Sequence, residues 1–153
     1  MIVEICGYAV EIDDDCEEIV RGHHWAIYDS RTTPDHPYVW TTIGNKMTAL
    51  HRVIMGNPTG MHVDHRDGNP LNNRRDNLRL CTRSQNKANS KLYRNNRSGF
   101  KGVIEVPGRR KWQASIYRDR RQIYLGRFST PEQAHEAYKA AAVEIYGEFA
   151  RFA

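Results

Sequence analysis

Residues 63–86 read VDHRDGNPLNNRRDNLRLCTRSQN, and this stretch decides the local fold. Met61–Asp64 reads as a short strand and Leu78–Cys81 as a second. The polar loop between them carries Asp67-Gly68 and Asn69-Pro70 turn signals. Thr82-Arg83-Ser84-Gln85 matches a capping box, in which Thr82 and Gln85 satisfy backbone N–H groups reciprocally, so a helix is predicted from there to about Leu92. The order is strand, long loop, strand, helix.

The same residues carry chemistry. Asp64 is a carboxylate, His65 an imidazole, and a string of Asn residues ends on the predicted helix. Phosphodiester hydrolysis needs a base to activate water and a hard cation to neutralise charge on the phosphate and the leaving oxygen. One carboxylate plus a neutral oxygen suits Mg²⁺, and His is the natural base near neutral pH. Taken singly, Asn72, Asn73 and Asn77 read as turn caps. His51 reads as a buried hydrogen-bonding residue, and His62 stands two positions before Asp64. His23, His24, His36 and His135 read as surface or packing residues.

Together with the upstream Leu50-His51-Arg52-Val53, this core resembles the HNH endonuclease motif, in the branch found in phage and intron-associated homing endonucleases. The resemblance spans roughly residues 45–92. It implies a ββα-metal finger at about 61–92, in agreement with the element order read above. By position His65 resembles the general base, Asp64 a metal ligand, Asn77 the middle Asn that holds the loop and orients the histidine, and Asn86 the second metal ligand. The implied cofactor is one Mg²⁺ or Mn²⁺ per site.

Residues 100–153 read as a second unit after a basic linker at 93–99. Lys101–Val106, Lys111–Tyr117 and Gln122–Phe128 are strand candidates joined by turns at Pro107-Gly108 and Asp119-Arg120, a three-stranded antiparallel meander. Trp112, Ala114, Ile116, Ile123 and Leu125 alternate onto one face; Gln113, Ser115, Tyr117, Gln122 and Tyr124 fall on the other. A helix follows with Thr130 as N-cap, Pro131 at its first position and Gln133 completing a capping box; Ala134, Ala137, Tyr138, Ala141 and Ile145 repeat at helical spacing up to Gly147. This helix is expected to pack on the apolar face and leave the polar face free.

The run from Gly99 to Phe152, through LGRF, TPEQAHEAYKAAA and YGEFARF, resembles the APETALA2-type domain of plant ethylene-response factors. Those domains lay a sheet face in the DNA major groove. Lys101, Gln113, Tyr117, Gln122 and Tyr124 on the sheet, with Arg109, Arg110, Lys111 and Arg118 at the hairpin ends, are the expected DNA-binding residues. Most of the plant base-contacting residue types are replaced, so the plant target sequence does not transfer.

Charge agrees with a nucleic-acid partner. The 153 residues carry a net +5, but residues 61–130 hold 17 Lys+Arg against 5 Asp+Glu, while residues 1–60 hold 4 against 9. A +12 block among aromatic and amide side chains, Tyr93 included, attracts polyanions and offers stacking and base-edge contacts. The acidic first 60 residues read as short strands at Ile2–Ile5, Tyr8–Ile12, Trp25–Tyr28 and Tyr38–Thr42, a Pro-rich loop at 30–37, and short helices over about 14–21 and 49–55. They are expected to buttress the finger.

Mean hydropathy of −0.74 and the lack of a long apolar run argue against a membrane protein. The N-terminus shows no secretory signal pattern. Cys6, Cys16 and Cys81 are odd in number and widely spaced, which argues against a disulfide framework and for a reducing cytoplasm; the resemblance to phage-associated nucleases implies that of a bacterial host. The expectation is an α+β chain: a small N-terminal α+β module (1–92) containing the finger, then a three-stranded antiparallel sheet packed on one helix. It would be a metal-dependent, homing-type DNA endonuclease, monomeric in solution, acting on double-stranded DNA. The alternative is a non-catalytic DNA-binding regulator with a relic finger, whose signature would be loss of Asp64, His65 or Asn86.

Overall fold

The computed structural model describes residues 1–30, 33–92, 95–119 and 121–152. Tyr93 and Arg94 of the expected linker, and Arg120 of the hairpin turn, lie outside the described residues. The chain is mixed α+β, with small sheets and short helices, and divides into two compact units, Met1–Cys81 and Thr82–Ala153. The sequence reading places the boundary after residue 92, whereas the helix that begins at Arg83 groups with the second unit.

In the first unit, β1 (Ile2–Ile5) and β2 (Tyr8–Glu11) form an antiparallel hairpin. Its two-residue turn, Cys6-Gly7, has φ of 51° and 82°, the pair of positive values that a tight hairpin turn uses. A 3-10 turn at Asp14–Cys16 runs into α1 (Glu17–Arg21). β3 (Ala26–Ser30), β4 (Thr33–Ile43) and β5 (Lys46–Ala49) make an antiparallel sheet in that order, followed by α2 (Leu50–Ile54). The segment read as a Pro-rich loop is thus mostly strand: the register slips between Tyr28 and Ser30, where Pro34 and Pro37 have no N–H to give the ladder. β5 was not predicted, because Lys46–Ala49 is too short to show a period.

β6 (His62–His65) and β7 (Leu78–Cys81) form the last hairpin of this unit. Its Val63 and Leu78 enter one apolar cluster with Ile5, Val10, Ile12, Cys16, Val39, Leu50 and Ile54. The first 60 residues therefore supply most of the core on which the hairpin rests.

The second unit begins with α3 (Arg83–Asn89), capped by Thr82 and Gln85 in the predicted reciprocal box and ending three residues short of the prediction. β8 (Val103–Val106), β9 (Lys111–Arg118) and β10 (Arg121–Phe128) form an antiparallel sheet in the order β10-β9-β8. α4 (Pro131–Tyr146) packs on it through Ala134, Ala137, Tyr138 and Ala142 against Val103, Ala114 and Ile116. Thr130 Oγ1 accepts from Gln133 N as predicted, but the Gln133 side chain takes the Ser129 N–H at 3.3 Å. Two side chains depart from the predicted alternation. Ile123 is 37% exposed, because it lies on an edge strand, and Ser115 is buried although it belongs to the polar face.

Candidate active site

The β6–β7 register places Asp64 opposite Arg79 and His65 opposite Leu78. Asp64 Oδ2 accepts from Arg79 Nε at 3.0 Å, with both side chains buried. The loop between the strands is built from Asn and Asp side chains that bond local backbone groups. Asn77 Oδ1 accepts from the Asp67 N–H at 3.2 Å, and its Nδ2 donates to Asp67 Oδ1 (3.0 Å) and to the Asn72 carbonyl (2.8 Å). Asn77 thus clamps both ends of the loop.

β2 anchors the loop from outside. The Glu11 N–H donates to the Leu71 carbonyl, and the Asn73 N–H donates to the Glu11 carbonyl, both at 2.8 Å. The acidic run adds a second anchor. Asp13 Oδ2 accepts the Arg75 N–H at 2.8 Å, and Arg75 Nη1 reaches the Asp15 carboxylate at 2.6 Å. Asp13 stands at the N-cap of the 3-10 turn that leads into α1, a position where Asp usually caps, yet it makes no capping bond. The group Asp13, Asp15 and Cys16 is close enough to hold a cation, and the Arg75 guanidinium already pairs with both carboxylates.

His65 is buried, and its Nε2 lies 3.4 Å from Asn73 Oδ1. Asn73 Nδ2 donates to the Pro70 carbonyl at 3.2 Å, which fixes the amide so that its oxygen faces the imidazole. This arrangement favours the His65 tautomer that carries its proton on Nε2. Burial lowers its pKa, opposed by the Asn73 bond and by Asp67 and Asp64, so the ring is neutral at pH 7 and able to accept a proton. Burial opposes ionisation of Asp67, but hydrogen bonds from Asn69, Asn72 and Asn77 outweigh it and hold that pKa below the ordinary value.

An aromatic wall completes the site. His51 on α2 meets the His65 ring edge-on with centroids 5.0 Å apart, and Tyr38 lies 5.8 Å from His51 and 6.1 Å from His65. Burial, His65 and Arg52 push His51 down to about 3. His62 is exposed.

Asp64, His65 and Asn77 thus share one hairpin and its loop. Asn86 stands on α3 of the second unit. Asn73, Asp67, Arg79 and Tyr38 were not predicted as site residues. The paired Asn72-Asn73 was the available signal, but nothing in the sequence says which Asn reaches the histidine.

In the second unit Tyr117 and Tyr124 are about half exposed. Arg109, Arg110, Lys111, Arg118 and Gln122 are exposed, and Gln113 is half-buried. Lys111 Nζ donates to Ser129 Oγ at 3.1 Å. Gln122 Nε2 donates to Ser115 Oγ at 2.8 Å, which accounts for the burial of Ser115. Lys101 is half-buried, and its ammonium bonds the backbone that ends α3. No helix among the described residues is long and apolar enough to cross a membrane.

Residues 49–88 match the family model described as HNH endonuclease. The chain is similar to Protein 3.8 of Escherichia phage T7, 36% identical over 95 residues that cover 62% of this chain and 78% of that protein. It is also similar to a protein of Acanthamoeba polyphaga mimivirus named as an HNH endonuclease, 37% identical over 107 residues. That match covers 66% of this chain and 54% of the mimivirus protein, so the chain spans about half of that relative. No solved structure matches the chain.

Proposed function

We propose that this chain, whose residues 49–88 form an HNH endonuclease domain, is a metal-dependent, homing-type endonuclease that hydrolyses a phosphodiester of double-stranded DNA. The viral source of both relatives is in keeping with that type. The observation that carries the mechanism is the orientation of His65. Asn73 holds the Nε2–H, so Nδ1 is the atom that takes a proton from the attacking water.

Asp64 and Asn86 are assigned to one Mg²⁺ or Mn²⁺. The donor chemistry fits, since a carboxylate and a carboxamide oxygen are hard ligands of the kind these ions take. When bound, such an ion neutralises charge on the scissile phosphate and the leaving oxygen. Asn77 holds the loop that presents His65 and Asn73.

Residues 100–153 are proposed as an APETALA2-type domain that positions DNA. Tyr117, Tyr124, Gln113 and Gln122 would lie toward the bases, and Arg109, Arg110, Lys111 and Arg118 on the phosphates. Cys6, Cys16 and Cys81 are free thiols, which accords with work in a host cytoplasm. A monomer with one such site nicks.

The test is supercoiled-plasmid cleavage with Mg²⁺, Mn²⁺ or EDTA, with His65→Ala and Asp64→Ala proteins alongside. Metal-dependent nicking abolished by both substitutions is the expected result. Nicking that survives His65→Ala at the wild-type rate overturns the assignment of the base.

A further inference from the structure

Lys101 aligns with a cationic DNA-contacting position of the family that residues 99–152 resemble, but its surroundings in this chain point elsewhere. Its Nζ donates to the Ser90 carbonyl at 2.6 Å and to the Ala88 carbonyl at 2.5 Å. Those carbonyls lie at the C-terminal end of α3, where acceptors lack partners within the helix and the helix dipole favours a cation. The ammonium is drawn out of water to do this: burial, with Arg151, lowers its pKa to about 8. An ammonium spent on two carbonyls is poorly placed to meet a phosphate.

A second contact repeats the pattern. Lys87 Nζ, also on α3, stands over the Tyr117 ring at 5.4 Å from its centroid. α3 is thereby tied both to the start of the sheet and to β9. The tie spans an open cavity of about 420 Å³, lined by Lys87, Lys101, Ile104, Tyr117, Gln122 and Tyr146 among others. Ala88 and Asn89 at the end of α3 are buried, and the polar ties add to that packing in holding the helix against the sheet.

We infer that Lys101 is a positioning residue: it clamps the end of α3 to the sheet and so fixes the helix that carries Asn86. The consequence for catalysis rests on the proposed reading of Asn86 as a metal ligand. If that reading holds, the clamp makes the helix bearing this ligand and the sheet proposed to seat DNA move as one body.

The experiment uses the full chain in four forms: wild type, Lys101→Met, Lys101→Arg and Asn86→Ala. Three readouts are taken: backbone hydrogen exchange without metal, DNA affinity against salt in EDTA, and Mn²⁺ binding by electron paramagnetic resonance. In Lys101→Met the α3 amides are expected to exchange at least tenfold faster while β8–β10 stay protected. DNA affinity in EDTA and its salt slope stay within twofold of wild type, and Mn²⁺ binds several-fold more weakly. Lys101→Arg, which keeps donors for both carbonyls, restores most of the protection. Unchanged α3 exchange in Lys101→Met, with the salt slope reduced by about one, would make Lys101 a phosphate contact and overturn the inference. If Lys101→Met loses protection throughout the second unit, Lys101→Arg decides: wild-type protection of α3 supports the clamp, and loss confined to β8–β10 overturns it. Asn86→Ala separates the two readings. Wild-type Mn²⁺ affinity there removes Asn86 as a ligand, while the α3 exchange of the Lys101 variants still decides the clamp.

Discussion

Asp64 and Arg79 face each other across the β6–β7 hairpin, Oδ2 to Nε at 3.0 Å, and each side chain is at most 7% exposed. A pair this buried returns little net stability, but removing one partner strands the other charge away from water. Arg79→Met is therefore expected to cost about 3–5 kcal/mol. Asp64→Asn keeps an oxygen for Arg79 and should cost clearly less, yet abolish nicking if Asp64 holds the cation. Urea unfolding beside plasmid nicking checks both. Equal destabilisation by the two variants would show that the carboxylate charge, and not the hydrogen bond, keeps Arg79 in place.

Asn73 separates orientation from proton transfer. Asn73→Ala removes the acceptor at His65 Nε2 and leaves the Pro70 carbonyl without its donor. A loss of about 1–3 kcal/mol in stability follows from unsatisfied buried polar groups. The nicking rate should fall about 10- to 100-fold, short of the loss in His65→Ala, because the base remains while its tautomer is no longer fixed. Single-turnover nicking at saturating Mg²⁺ tests this, and a rate equal to wild type would mean that other contacts orient the ring.

The hairpin and its capped helix were legible because both signals are local. Strand runs flank Asp-Gly and Asn-Pro turns, and the Thr82–Gln85 box is realised bond for bond. The partners of the loop were not legible, because they come from far along the chain. Glu11 bonds Leu71 and Asn73, and Asp13 and Asp15 bond Arg75. A local reading assigns an acidic triplet to the nearest helix start, yet the tertiary partner Arg75 took it. Lys101 misleads for the same reason. Position along the sheet suggested DNA, whereas the carbonyls that occupy it, Ala88 and Ser90, lie 13 and 11 residues upstream at the end of α3.

The histidine cluster sets an acid limit for the first unit. Burial, His65 and Arg52 hold His51 near 3, below the ordinary 6.5 of a free imidazole. The unfolded chain thus takes up the proton first, and folding stability falls as pH drops from about 6.5 toward 3. The lowered pKa of His65 acts in the same direction. That of Asp67 adds a further loss only as pH falls below its ordinary 3.8. His51→Phe keeps the ring packing and removes one of these protons. Its urea midpoint should therefore decline less than that of wild type between pH 7.5 and 4.5. Parallel declines would show that His51 is free to charge in the folded state.

Gly102 tests the second unit. Its φ is +74°, and an added Cβ would lie 2.1 Å from Tyr138 Cδ2 and 2.8 Å from the Ser115 carbonyl. Tyr138 is buried between α4 and the sheet, so its ring has little room to retreat. Gly102→Ala combines a strained backbone with a steric overlap, and a loss of more than about 4 kcal/mol is expected. Thermal unfolding followed by Trp112 emission, in a background with Trp25 and Trp40 replaced by Phe, checks it. A variant that unfolds like wild type would show that β8 can shift away from α4.

DNA binding by the second unit has a quantitative signature. Arg109 and Arg110 sit exposed at the β8–β9 turn, and Arg110 has a positive φ of 44°. Neither has a carboxylate partner among the described ion pairs. If both lie on phosphates, each releases counterions on binding, and log K falls with log salt by about 0.9 per contact. Arg109→Ala/Arg110→Ala should then reduce the slope by about 1.8 and weaken binding to all duplex sequences alike. Tyr124→Ala on the sheet face should leave the slope unchanged while narrowing the gap between preferred and random DNA, because a phenol ring carries no charge to exchange for counterions. Fluorescence anisotropy between 50 and 200 mM KCl, roughly the range over which such slopes are measured, resolves the two behaviours. A slope unmoved by the double Arg substitution would place the phosphate contacts elsewhere in the +12 block.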